Sequence, residues 1–131
     1  MAGQYVNKKN KRLQNLIVDF NLTNEITLLG ELGNTKPFFK KIDYLVSSSS
    51  FGESFPNVIA ESMLQGIPCI CTNVGDAKRI ISGLGWISDP SNPEKLSKNL
   101  LRAKKYKEKN KNNYIELKKK VKEKIINKYH I

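Results

Sequence analysis

Apolar residues recur along the chain in short groups, and the spacing inside each group separates helix from strand. Over Lys9 to Phe20 they fall at Leu13, Leu16, Ile17 and Phe20, steps of three and four that make one face of a helix. Ile26 to Leu29 is a brief apolar run closed by Gly30, which predicts a strand. After the loop ELGNT, Pro37 suits the first turn of a short helix, because the N–H it lacks would find no partner there. Asp43 to Val46 predicts another strand, running into the polar stretch SSSSFGES. Pro56 then opens a helix that lasts to about Gln65, with Gly66 as its stop. Ile67 to Thr72 is almost unbroken in apolar character, the pattern of a strand covered on both faces.

Further on, Gly75 turns the chain into a short helix around Ala77 to Ile81. Gly85 to Ile87 predicts a last brief strand, and Asn92 to Lys104 a helix. Strands alternating with helices predict an α/β fold, a Rossmann-like parallel sheet with helices on both faces. Ligands of such sheets bind outside the carboxyl ends of the strands. From Ala103 to Ile131, apolar residues at Tyr114, Leu117, Val121, Ile125 and Tyr129 keep close to helical spacing with lysines between them, so the tail reads as a basic amphipathic helix. The pattern therefore divides into a body, residues 1–102, and a C-terminal helix, residues 103–131.

Composition narrows the picture. A chain of 131 residues falls in the range of one domain that buries its own core. No apolar run approaches the roughly 18 to 20 residues of a membrane span. The start, MAGQYVNKKNKR, has basic residues but no apolar core or small-residue cleavage site, so a secretory signal is not expected and a cytoplasmic location follows. The net charge of +11 is unevenly spread: Met1 to Leu101 carries 11 Lys and Arg against 9 Asp and Glu, and Arg102 to Ile131 carries 12 against 3. The tail's charge admits a solvated basic face or attachment at the inner membrane face, since each lysine near anionic lipid contributes roughly 1 kcal/mol. A near-neutral body, with no aromatic and basic residues interleaved on a sheet, speaks against nucleic acid. Cys69 and Cys71 lie two apart in a predicted strand, hence on one face, and read as buried reduced thiols. With His130 the one histidine and no second cysteine pair, no metal site is expected.

The stretch from Ser49 to Asp76, SSFGESFPNVIAESMLQGIPCICTNVGD, carries the candidate chemistry. A predicted strand ends near Ser47, a loop carries Glu53, a helix begins near Pro56, and Glu61 lies on that helix with seven residues between the two acids. Amides from about Ser54 to Val58 are the unpaired donors of a helix start, which attract phosphate or sugar oxygens. Two carboxylates, one on the loop and one on the helix, can each accept two hydroxyl hydrogens, which suits the vicinal diols of ribose or hexose.

In this series the chain resembles the retaining, GT-B-fold glycosyltransferases that share an E-x(7)-E motif. The resemblance runs from Ala2 to about Leu101 and rests on Ser50, Glu53, the FPN of Phe55 to Asn57, Glu61, Gly66, Pro68, Thr72 and the VGD of Val74 to Asp76. It implies a domain that binds a nucleoside-diphosphate sugar and transfers a hexosyl group with retention to a glycan or lipid-linked acceptor, without an obligatory metal or other cofactor. By resemblance, Glu53 is the catalytic candidate, contacting hydroxyls of the transferred sugar, and Glu61 holds the ribose. Ser50, Ser54, Phe55, Pro56, Asn57 and Gly30 complete the donor site, with the loops after Gly3 and Gly30 bordering the nucleotide. The rings of Phe55 and Trp86 are assigned to packing. Ser54 stands where many relatives carry glycine, which makes the turn less permissive and the sugar subsite different.

The family's basic clamp on the diphosphate comes from segments ahead of those present here, as do the first strand and helix of this domain and the acceptor-binding N-terminal domain. The expectation is therefore a chain that does not turn over alone. Lys78 and Arg79 are near in sequence but read as a solvated basic face. A basic binding module, non-catalytic and attached through its tail to a membrane or nucleic acid, remains open as the alternative.

Overall fold

The computed structural model describes residues 1–52 and 56–130. They form two compact units, Met1–Pro37 and Phe38–Ile131. In the first, α1 (Lys11–Asp19) begins where the Asn10 side chain accepts the Leu13 amide at 3.1 Å, satisfying one donor of the opening turn. Ile17 is buried on the predicted face.

The strand expected at Ile26–Leu29 does not form. The segment does bond to the chain's first residues: the Met1 ammonium donates to the Thr27 carbonyl (2.6 Å) and the Leu29 amide to the Met1 carbonyl (2.9 Å). A parallel ladder would next use the Leu29 carbonyl, yet the Gly3 amide donates to Gly30, whose φ of +72° is left-handed, so the ladder stops. The short helix around Pro37 is α2 (Lys36–Phe39), which spans the point where one unit gives way to the next.

The second unit holds β1 (Leu45–Ser47), α3 (Asn57–Leu64), β2 (Cys69–Thr72), α4 (Ala77–Ile81), β3 (Trp86–Ser88), α5 (Pro93–Lys109) and α6 (Lys111–Tyr129). The strands form one parallel sheet in the order β1-β2-β3, with Leu45 opposite Cys69, Val46 opposite Ile70 and Cys71 opposite Ile87. Because side chains alternate along a strand, Leu45, Cys69, Cys71 and Ile87 share one face. That face packs against Ile59 and Met63 of α3, Ile80 and Ile81 of α4, and Val121 and Ile125 of α6. The opposite face, with Ile70, receives α5: Asn99 donates to the Ile87 carbonyl at 3.0 Å, and Tyr44 to the Ala103 carbonyl at 2.8 Å. Helices thus flank both faces, and β2 is buried at every position, as its apolar run predicts.

Gly66 ends α3 with φ +74°, where the Ile67 amide returns to the Ser62 carbonyl and the Gly66 amide to Met63. A methyl group at Gly66 would come within 3.3 Å of the Lys118 carbonyl, so the same residue lets α6 lie close against α3. The helix expected over Asn92 to Lys104 runs five residues further, and positions 102 and 103 lie inside it. Asn110 separates α5 from α6: its backbone is extended (φ −152°, ψ 101°) and its side chain accepts the Asn113 amide at 3.0 Å, capping the next helix. Of the predicted apolar stripe, Tyr114, Val121 and Ile125 are buried, and Leu117 and Tyr129 pack partly buried against the core. Among the described residues no helix is long and apolar enough to cross a membrane.

Trp86 packs edge-on between Tyr44 and Tyr106, and Tyr44 against Tyr114, at the end of the sheet where the strands begin. Tyr114 donates to the Asp43 carbonyl at 2.7 Å, and Lys107 pairs with the Asp43 carboxylate at 2.6 Å. These contacts tie α5 and α6 to the strand entrance. A 630 Å³ cavity opens beside them, with Tyr44, Val46, Ile70 and Leu100 in its lining.

Candidate functional site

The parallel strands deliver three loops to one edge, each leading into a helix. The loop after β1 carries most of the candidate residues, and the structure shows what fixes its start. Thr72, the last residue of β2, donates its hydroxyl to the Ser49 carbonyl at 2.5 Å and lies 3.5 Å from that of Ser47. The neighbouring loop is held in turn, since the Asn73 amide donates to the Ser88 carbonyl at 2.8 Å. Sequence reading placed Thr72 in the pattern without a role; a hydroxyl closing an otherwise apolar strand is the signal that could have supplied one.

Ser50 follows as an exposed residue, then Phe51, 85% exposed, and Gly52 with φ +85°. Glu53, Ser54 and Phe55 lie outside the described residues. Pro56 is buried and occupies the N-cap of α3. Proline has no side-chain oxygen with which to cap, and α3 has no acid in its first turn. The amides of Asn57 and Val58 therefore stand at a helix start that carries the positive end of the helix dipole.

Ile59, Ser62 and Met63 turn into the core, which leaves Asn57 and Glu61 on the exposed face of α3. One helical turn separates these two, a rise of about 6 Å. Asn57, Glu61 and the buried Pro56 thus come together at the head of one helix, with Ser50 on the loop that leads to it. Gly30 belongs to the other unit, where its amide donates to the Val6 carbonyl at 2.7 Å.

The basic pair near the next loop is partly committed. Arg79 holds Asp76 through two contacts, 2.6 and 3.1 Å, which fix it across one turn of α4. Hydrogen bonding from Arg79, with its charge, holds the Asp76 carboxyl below the usual carboxylate range. Lys78 is exposed. Beneath the site, Cys69 and Cys71 are thiols outside any disulfide and have no solvent exposure, and burial pushes the Cys69 thiol up to about 12, more than its hydrogen bond with Ser62 lowers it. Among the described residues no three His, Cys, Asp or Glu side chains gather as a metal site.

Two solved structures have the same fold. A glycosyltransferase from Rickettsia africae ESF-5 matches over 97% of this chain and 34% of its own, with a TM-score of 0.85 and 23% identity. Sucrose-phosphate synthase from Thermosynechococcus elongatus matches over 95% of this chain and 32% of its own, with a TM-score of 0.77 and 19% identity. The chain thus spans about a third of the length of these structures. At such identities the likeness speaks to the fold, an α/β arrangement with a parallel three-stranded sheet flanked by helices, as in GT-B glycosyltransferases. No curated protein matches the chain in sequence. The family model described as glycosyl transferases group 1 matches residues 1–124, nearly the whole length, and the chain belongs to that family.

Proposed function

We propose that this chain supplies the donor-binding part of a retaining glycosyltransferase that takes a nucleoside-diphosphate sugar and passes its hexosyl group to a glycan or lipid-linked acceptor. The observation that carries the reading is the position of Glu61, exposed one turn into α3 on the same side as Asn57. The helix start offers amides and a partial positive charge to phosphate or sugar oxygens. One turn along, the two oxygens of a carboxylate can take both hydroxyl hydrogens of a ribose. The rise between them, about 6 Å, is comparable to the breadth of a pentose ring with its 5′ carbon.

Glu53, eight positions earlier in the sequence, is assigned the hydroxyls of the transferred sugar. As the glycosidic bond breaks, negative charge grows on the departing diphosphate, and donors already oriented toward it lower the barrier. In this reading the α3 amides are such donors. In this reading the basic side chains that complete the clamp, and the acceptor site, come from outside the 131 residues present. Metal-free binding of the donor is part of the proposal.

Calorimetric titration of the chain with a nucleoside diphosphate and with nucleotide sugars tests the assignment. Glu61→Ala should weaken both ligands by about 1.5–3 kcal/mol, the range for a hydrogen bond to a charged group. Glu53→Ala should weaken the nucleotide sugar and leave the bare diphosphate nearly unchanged. Equal losses for both ligands in both variants, or no loss in either, would overturn the two roles.

A further inference from the structure

The positive charge of the C-terminal third is arranged more specifically than its total suggests. On α5, Lys98, Arg102, Lys105 and Lys109 follow one another at steps of four, three and four, which places them on a single stripe about 16 Å long. All four are exposed, and the stripe lies away from the buried Asn99 and Ala103 that seat the helix on the sheet. Arg102, Lys105 and Lys109 enter no ion pair among the described residues, whereas Lys98 pairs with Glu94 at 2.8 Å. Beside the stripe stands Leu101, 56% exposed, with Lys98 three positions before it and Lys105 four after.

We infer that this face of α5 docks on an anionic lipid bilayer, with the basic side chains at the phosphates and Leu101 in the layer beneath them. Charge complementarity selects a polyanion, and Leu101 selects among polyanions. A bilayer has an apolar layer just below its phosphates, which nucleic acid lacks. Long basic side chains can lay their methylenes along that boundary and keep their charge outside it. The stripe runs straight along a convex helix, which fits an extended flat surface. Lysines of α6 add to the field that draws the chain in, over distances limited to about 10 Å at moderate salt.

The test is cosedimentation of the full chain with vesicles, either neutral or with about a third of the phospholipid anionic. The intact chain should bind the anionic vesicles, bind the neutral ones poorly, and release as salt rises. A basic residue at the surface contributes about 1 kcal/mol, a factor of about five, so Arg102→Gln/Lys105→Gln/Lys109→Gln should lose roughly a hundredfold. A control with the same charge change on α6, Lys119→Gln/Lys122→Gln/Lys124→Gln, should lose clearly less. Leu101→Ser should weaken vesicle binding severalfold and leave binding to a DNA duplex unchanged. Circular dichroism melts confirm that each variant is folded. Equal losses in the two triple variants, no effect of Leu101→Ser on vesicles, or duplex binding as tight as vesicle binding would each overturn the proposal.

Discussion

Thr72 joins two neighbouring strand ends through one hydroxyl, and its contact with the Ser49 carbonyl fixes where the loop toward α3 begins. Thr72→Val keeps the branched shape but removes the donor, leaving a partly buried carbonyl without it. The expected cost is about 1 kcal/mol in a urea titration, together with weaker nucleotide binding. A variant with lower stability but unchanged nucleotide affinity would separate the loop anchor from the ligand site. The two cysteines give a second check. Both are fully buried, and Cys69 is pushed up to about 12 by desolvation, so the native chain should not react with a thiol reagent at pH 8. In urea both should react. Sequence spacing alone put the pair on one face of a strand, but how deeply they sit depended on three helices that close over them.

At the scale of elements, the entry to β3 is tightly packed. A methyl group at Gly85 would run into the carbonyl oxygen of Cys69, a backbone atom that cannot swing aside, and would also press on Ile81. Gly85→Ala is therefore expected to destabilise the chain by about 2–3 kcal/mol, as overpacked interiors do, measured by the urea midpoint. The basic tail is equally tied to the core. Val121 and Ile125 of α6 are buried against the cluster that α3 and α4 build, so Val121→Ala should cost roughly 2–3 kcal/mol. If the change were neutral, α6 would be an appendage and not a part of the core. Its stripe was legible as an apolar period among lysines. Its partner was not, because periodicity gives the direction of a face along a helix and says nothing of what meets it.

For the whole molecule, burial is uneven between the two units. Ile17 is the one large hydrophobic residue of 1–37 that is buried, while Leu16, Val18, Phe20, Leu22 and Leu29 are exposed. Amides of 1–37 should accordingly exchange with solvent faster than those of β2 and α3, measured by hydrogen exchange on the intact chain. Alkaline pH is a second global test. Cys69 and Tyr114 are each pushed up to about 12 by burial, and Tyr44 is raised further by the same cause. Each keeps its proton in the folded state after the unfolded chain has released it. Stability is full below about pH 9 and declines as pH climbs toward 12, since the unfolded state then binds fewer protons. Urea midpoints at rising pH should fall across that window, and a flat profile would mean that these groups are exposed in solution.

What the sequence determined by itself was local. The helices at α1, α3 and α4, the buried strand β2 and the amphipathic tail follow from apolar period, proline and glycine, all of which act within a few residues. The acid pair and the FPN helix start were legible as a family pattern for the same reason. Tertiary structure decided the rest, because it depends on groups distant in the chain. Ile26 to Leu29 has the apolar run of a strand, but its partner lies at the first residues, and the left-handed Gly30 ends their ladder. The stop at Asn110 required one residue to take an extended backbone and cap the following helix, a choice that α6 settles by packing its apolar stripe against α3 and the core beside it.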